Sequence, residues 1–387
     1  MTPPRKILCA LALAAAALLA VPGAAPATPQ RLAHASLSQA GRDLVFTVRT
    51  DSPVALSQLQ PQPDTRRAAS RYLCVALSRP GGSGELRLCL GGKHSRKRIG
   101  EEVVNAAGKP TKRSTVRATV KRPRPEKLVV ALVPGDAGLT PRRYSWRTIA
   151  SRGCKPGDKC AKALPVKGSF AFRLRPVRAV GCTGGSAGLI SNGPRDAKVV
   201  ALTFDDGPSD YTDGFLQVLR EKGVHGTFFE IGQEMAGREA TMRQILAEGN
   251  ELGDHTENHV EYPGYSQIAG AARRIEEYAH FKPCLFRPPG GAVNSSVIAT
   301  AGSLGMRTIT WDVDPRDWST PGTGAIYSNI VGNAKPGSII LMHDGGGPRG
   351  ETLAALPQVI DTLRSRGYSF ATVSELLGYR LLYKPYG

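Results

Sequence analysis

The stretch Val199-Val-Ala-Leu-Thr-Phe-Asp-Asp-Gly-Pro208 decides the reading of this chain. An apolar run stops at two adjacent carboxylates, and a Gly-Pro turn signal follows at once. A run of this length bounded by turn residues is a fully buried strand. Asp205 and Asp206 therefore stand at its C-terminal mouth, where α/β folds collect catalytic groups. Successive strand residues face opposite sides, so the two carboxylates should do different work. Placed so dry, they need a compensating charge, and a metal ion is the natural one. Asp-Gly is also ordinary turn chemistry, so the surrounding chain must decide between site and turn.

Working outward, residues 197–387 alternate strands and helices. Strands are expected at 198–204, 226–231, 284–286, 307–312 and 337–342. Helices are expected at about 213–222, 238–248, 266–280, 294–304, 322–333 and 352–366. This order calls for parallel strands with helices outside. No Gly-rich phosphate fingerprint follows the first strand, so a closed or partly closed (β/α) barrel is expected rather than an open dinucleotide-binding sheet.

Upstream the chain changes character. Residues 28–180 hold 31 Lys and Arg against 9 Asp and Glu, whereas residues 181–387 hold 18 against 23. Period-two stretches separated by Gly/Pro-rich turns make 28–180 an all-β, sandwich-like domain. Its strand candidates are 44–49, 71–77, 85–90, 114–120, 127–133, 144–149 and 169–174. Residues 181–196, small and Gly-rich, read as a linker. The basic runs His94–Arg98, Lys109–Arg113 and Lys121–Arg124 create a field that concentrates polyanions. An anionic cell-wall or extracellular polymer, or an anionic lipid surface, is the expected partner, and nucleic acid is not. A merely solvated basic surface is the plain alternative.

Residues 1–27 combine Arg5 and Lys6, an apolar run from Ile7 to Val21, and Ala25-Pro26-Ala27, the pattern of a secretory signal peptide. The run is shorter than the roughly 20 residues a spanning helix needs, and no other membrane segment is read. The mature chain is expected to be secreted or cell-wall associated. Without Cys9, six cysteines remain, an even number that suits three disulfides in an exported protein. Pairing of neighbours (Cys74 with Cys89, Cys154 with Cys160, Cys182 with Cys284) is the simplest arrangement, although sequence does not fix it.

Four further stretches fall at strand ends of the second domain. His255-Thr-Glu-Asn-His259 places two imidazoles four apart, which on one helical turn would share a face. With Asp206 they make two imidazoles and one carboxylate, a donor set for catalytic zinc with a position left for water. Arg287-Pro-Pro-Gly-Gly291 puts a cation on a stiff loop. Asp314-Pro-Arg-Asp-Trp318 adds carboxylates and an aromatic, and Leu341-Met-His343 ends the last strand. Singly, each has an innocent reading as a surface ion pair, a core filler or a satisfied histidine. Jointly, they fall on one rim.

In the order TFDDGP, HTENH, RPPGG, DPRDW, LMH, these stretches resemble the five motifs of the polysaccharide deacetylases, the NodB-like domain of carbohydrate esterase family 4, over about residues 195–375. The resemblance implies a distorted (β/α) barrel, a divalent metal (usually Zn2+), and hydrolysis of acetyl groups from amino sugars or sugar esters. It implies Asp205 as general base, Asp206, His255 and His259 as metal ligands, and Arg287 as the partner of the base. It implies Asp317 as the acid tuning His343, the general acid. Trp318 would line the groove and Leu341 the floor beneath the acetyl methyl, with Pro289 and Gly290 on the third-motif wall. There the sequence departs from the family, which usually carries an aromatic where Gly290 stands. Glu230, after Phe228-Phe229, is polar where an apolar residue would be ordinary.

The chemistry is coherent on general grounds. A zinc ion lowers the pKa of its water from about 15.7 to about 7 and polarises a carbonyl. A carboxylate can then act as base, and a histidine near an acid can protonate a leaving amine. The expected function is a secreted metal-dependent hydrolase of carbon–nitrogen bonds, removing N-acetyl groups from peptidoglycan N-acetylglucosamine. A chitin-oligomer deacetylase, an acetylxylan esterase, a non-catalytic wall-binding protein and an enzyme on a small non-sugar amide are the alternatives.

Overall fold

The computed structural model describes residues 32–385 apart from 54–55, 57–58, 60–70, 83, 91–97, 108, 153–161 and 166. The expected signal peptide, Cys9, the Cys154–Cys160 pairing and most of the His94–Arg98 run lie outside the described residues.

The basic N-terminal part is built from antiparallel sheets. Its strands are β1 (Leu32–Ala40), β2 (Asp43–Thr50), β3 (Arg71–Ser78), β4 (Glu85–Leu90), β5 (Arg98–Val104), β6 (Pro110–Arg117), β7 (Thr119–Arg124), β8 (Lys127–Leu132), β9 (Arg143–Arg152), β10 (Lys162–Leu164) and β11 (Phe170–Arg173). One sheet runs β1-β2-β8-β7. The other runs β10-β9-β3-β4-β5-β6, with β11 also on β9. Alternation explains the packing: Leu44, Phe46 and Val48 of β2 and Leu128, Val130 and Leu132 of β8 share one core with Leu73, Val75 and Leu77 of β3. The single strand expected over 114–120 divides at Ala118 into β6 and β7, which are edge strands of the two different sheets. Cys74 pairs with Cys89 directly across β3 and β4.

The second part carries β12 (Val177–Cys182), β13 (Leu189–Ile190), β14 (Val199–Asp205), α1 (Thr212–Lys222), β15 (Gly226–Glu230), α2 (Glu239–Ala247), β16 (Glu251–Asp254), α3 (Tyr265–Ala279), β17 (Leu285–Phe286), α4 (Ser295–Ser303), β18 (Arg307–Ile309), α5 (Thr323–Asn333), β19 (Ile339–His343), α6 (Gly350–Ser365), β20 (Ser369–Phe370), α7 (Val373–Leu376) and β21 (Leu381–Pro385). The main sheet is parallel in the order β13-β18-β17-β16-β15-β14-β19, with β20 also on β14. It curls far enough that Val313, beyond β18, bridges Ile340 of β19. The result is the distorted, partly closed barrel expected.

Residues 181–196 and strand β16 are among the stretches that differ from expectation. Residues 181–196, read as a linker, are packed: the end of β12 pairs with β21, and β13 lies beside β18. Their glycines serve close approach, since a Cβ on Gly185 would lie 1.5 Å from the Gly305 carbonyl oxygen. Cys182 and Cys284 join this segment to the barrel. Strand β16 was not expected. Its sequence, Glu-Leu-Gly-Asp, is buried throughout yet holds two acids and a glycine, which hides the usual strand pattern.

Period two also aims the site. Val200, Leu202 and Phe204 of β14 join the core beneath the helices, with Phe204 against Phe215 and Phe228. Ala201, Thr203 and Asp205 take the opposite, inner face.

Candidate active site

The first carboxylate ends the inner face of β14. Asp205 is buried, and Arg287, fully buried after β17, donates from Nη1 to Asp205 Oδ1 at 2.7 Å and to Thr203 Oγ1 at 2.8 Å. Thr203 Oγ1 in turn donates to the Ile340 carbonyl at 2.7 Å. The guanidinium lies over the Phe229 ring, 4.1 Å from its centroid, and faces Trp311 at 5.6 Å. Aromatic faces and one carboxylate thus replace the water that a buried cation has lost. Thr203 escaped the sequence reading. Its signal was there, two residues before Asp205 on the same strand face.

The second carboxylate leaves the strand. Asp206 has φ 72°, in the left-handed region, and turns toward the loop after β16. Asp206 Oδ1 lies 3.3 Å from His255 Nε2 and 3.1 Å from His259 Nε2. The two histidines do not share a helical turn as the spacing suggested. Residues 255–259 form a loop in which Thr256 and His259 have φ 69° and 55°. Backbone reversal, rather than helix periodicity, brings the imidazoles together.

These three residues suit a metal. His255 Nδ1 lies 2.7 Å from the Arg287 carbonyl oxygen, which can only accept, so Nδ1 carries the proton. In a neutral ring Nε2 then presents a lone pair to Asp206 Oδ1, a buried oxygen without a hydrogen-bond partner. Two acceptors at that distance need a cation between them. The ligand atoms of Asp206, His255 and His259 all lie within 4.8 Å of one another. Burial opposes the charge on Asp206, but the two imidazoles outweigh it and hold its carboxyl well below the usual range. Asp206 correspondingly raises His259. The cluster favours one positive charge at its centre.

Across the rim, His343 ends β19. Its Nδ1 donates to Asp317 Oδ1 at 2.8 Å, and its backbone N–H donates to Asp317 Oδ2 at 2.9 Å. The Thr352 hydroxyl holds Asp317 Oδ2 from α6, also at 2.9 Å. Burial disfavours the imidazolium, yet the Asp317 hydrogen bond and charge, with Asp205 and Asp206 behind them, raise the His343 pKa above its ordinary value. Thr352 is a further participant that no motif signalled, because it comes from a helix distant in sequence.

The remaining expected residues separate by exposure. Leu341 and Pro289 are buried, whereas Trp318 is 50% exposed beside Asp317, with Arg316 over its ring. Gly290 is exposed, with φ 62°. Glu230 is fully buried, and neither carboxyl oxygen has a partner among the described residues. Burial, then Asp344, Asp205 and Asp206, push its pKa well above the carboxylate range.

Residues 192–309 match the polysaccharide deacetylase family. The chain is 42% identical over 196 residues to a peptidoglycan-N-acetylglucosamine deacetylase of Bacillus cereus, a match spanning 48% of this chain and 92% of that protein. It is 34% identical over 196 residues to a chitooligosaccharide deacetylase of Bradyrhizobium sp., spanning 46% of this chain and 90% of the other. Among solved structures, a similar one is the Bc1960 peptidoglycan N-acetylglucosamine deacetylase in complex with 4-naphthalen-1-yl-N-oxidanyl-benzamide. That likeness has a TM-score of 0.47 and 30% identity, and covers 49% of this chain and 92% of that one.

Proposed function

This chain belongs to the polysaccharide deacetylase family, hydrolases of carbon–nitrogen bonds other than peptide bonds, and from that premise we propose that it is an exported, zinc-dependent enzyme removing N-acetyl groups from peptidoglycan N-acetylglucosamine. The observation that carries the reading is the convergence of three groups of side chains on one rim. Asp206, His255 and His259 form a cation site, Asp205 is anchored by Arg287, and His343 is anchored by Asp317.

The geometry divides the labour. Asp206 and the Nε2 atoms of His255 and His259 would hold the ion, with the His255 tautomer fixed by the Arg287 carbonyl. When bound, such an ion acidifies water and polarises a carbonyl. Asp205 accepts the proton of the attacking water as its oxygen adds to the acetyl carbon. Arg287 and Thr203 keep that carboxylate aimed, so little reorientation is needed in the transition state. As the C–N bond breaks, His343 delivers a proton from Nε2 to the amine nitrogen, because Nδ1 is committed to Asp317. Acetate and a free amine leave. Leu341 offers an apolar wall to the methyl, and Trp318 a face to the sugar ring.

Export is supported by the N-terminal 27 residues and by the Cys74–Cys89 and Cys182–Cys284 disulfides, which belong to oxidising compartments. No helix among the described residues is long and apolar enough to cross a membrane. A wall substrate is supported by the Bacillus cereus relative and by the basic β6 and β7 edges, which suit an anionic wall polymer. Chitin-type oligomers are the second reading, favoured by the Bradyrhizobium relative. Comparing kcat/KM for acetate release from peptidoglycan, N-acetylglucosamine oligomers and acetylated xylan tests the substrate. Peptidoglycan is expected to lead, and preference for either of the others would overturn that part.

A further inference from the structure

The third-motif wall of the site carries no side chain that could meet a sugar. Pro289 is buried, and Gly290 and Gly291 follow with φ 62° and 67°. A Cβ on Gly290 would lie 2.9 Å from Glu261 Oε1. The loop after β16 therefore leans against this turn, and Glu261 fills the space that a side chain at position 290 would take. The next residue in that loop is Tyr262.

Tyr262 is 59% exposed and has φ 49°. The left-handed region is costly for a bulky residue, and the residue before a proline is normally extended. Here Pro263 follows and is buried. Such a conformation persists only where the surroundings impose it, and the start of this loop is tied down. The Gln233 N–H donates to the Glu257 carbonyl at 2.9 Å, and Arg274 Nε donates to Glu257 Oε1 at 2.6 Å. The Asn258 N–H donates to Gln267 Oε1 at 3.0 Å. A loop tied down at residues 257 and 258 thus carries a strained, exposed aromatic residue three positions beyond the proposed ligand His259. That separation limits the Cα–Cα distance to roughly 10 Å.

Trp318 stands on the loop after β18, close to β19, and Tyr262 on the loop after β16. The strands run parallel in the order β18-β17-β16-β15-β14-β19, so both loops leave the sheet at the same rim. An exposed ring beside the site is a ready surface for the apolar face of a pyranose.

We infer that Tyr262 is a sugar-stacking platform, on the same rim as Trp318, that makes this site specific for chains of N-acetylated sugars rather than single acetylated units. This rests on the glycan deacetylase reading above. The residue is not catalytic; it binds a ring next to the one whose acetyl group is removed.

The test uses the full chain and the variants Tyr262→Ala and Tyr262→Phe, with the β-1,4 tetramer of N-acetylglucosamine and with 4-nitrophenyl acetate. Loss of one aromatic contact should raise KM for the tetramer about five- to tenfold. The kcat for the tetramer and hydrolysis of 4-nitrophenyl acetate should stay unchanged, and Tyr262→Phe should behave as wild type. An unchanged tetramer KM in Tyr262→Ala, or equal loss on both substrates, overturns the inference. Tetramer binding to chelator-treated protein, followed by calorimetry, reads the same contact without turnover. Binding weakened in Tyr262→Ala, with no acetate release by wild type, would sink the deacetylase reading and leave this one standing. No tetramer binding by wild type overturns this one.

Discussion

Arg287 and Asp205 form an ion pair sealed from solvent, with Nη1 2.7 Å from Oδ1 and both side chains almost fully buried. A buried pair contributes little net stability, but removing one partner strands the other and costs about 3–5 kcal/mol. Arg287→Met should therefore lower the melting temperature sharply as well as abolish activity. A stable Arg287→Met variant would show that Asp205 finds another partner.

Asp205→Asn separates the proposed base from the proposed ligands. It keeps shape and can still meet Arg287 through its amide oxygen. Acetate release should fall by about 10²–10⁴-fold, the usual worth of a general base. Zinc bound per chain, read by atomic absorption, should stay at the wild-type value, because Asp206, His255 and His259 are untouched. Loss of zinc along with turnover would place Asp205 among the ligands instead.

As the proposed general acid, His343 is expected to set the alkaline limb. Its folded pKa is raised, so it remains a proton donor above the ordinary imidazole range, and kcat should fall only as pH rises through that elevated value. Asp317→Asn removes the charge that sustains the shift, and the limb should move to lower pH. Thr352→Val should move it less in the same direction. A limb unmoved in Asp317→Asn would assign it to another group.

Glu251 provides a stability signature away from the chemistry. Burial raises its pKa to about 7, against the hydrogen bonds from Ser374. The folded carboxyl keeps its proton where the unfolded one has released it, so stability falls as pH rises from the ordinary carboxylate range to about 7. The full effect is roughly 3 kcal/mol at about 1.4 kcal/mol per pKa unit. Glu251→Gln should flatten the pH dependence of denaturant midpoints over that window. An unchanged slope would contradict the shift.

The basic edges give a binding prediction. Lys112, Arg113 and Arg117 on β6 and Lys121, Arg122 and Arg124 on β7 are exposed on consecutive edge strands. Screening shortens from about 10 Å at 0.1 M salt to about 3 Å at 1 M. Retention on isolated cell walls should drop over that range, and also in a Lys121→Glu, Arg122→Glu, Arg124→Glu variant at low salt. Salt-insensitive retention would point to non-ionic contacts.

The sequence was most legible where one residue type has one physical use. Period two separated the work of Asp205 from that of Asp206, although Asp206 does so by leaving the strand with φ 72°, and strand ends located Arg287, Asp317 and His343. Partners reached through tertiary packing left no local trace: Thr352 from α6, Thr203 through its hydroxyl, and Glu261 against Gly290. The helical reading of His255 and His259 failed because spacing four fits a helical turn and a reversed loop equally well. Strand β16 was missed because a fully buried strand holding Glu251 and Asp254 breaks the apolar pattern. The Gly-rich stretch 181–196 looked loose because glycine serves both flexibility and close packing, and only the neighbour at Gly185 tells them apart.

The most direct test of the central claim is acetate release from N-acetylated peptidoglycan by the purified chain, before chelation, after it, and after zinc is restored. The account predicts release that vanishes with chelator and returns with metal. Release indifferent to chelator would contradict the Asp206–His255–His259 site, and no release in any state would contradict the deacetylase itself.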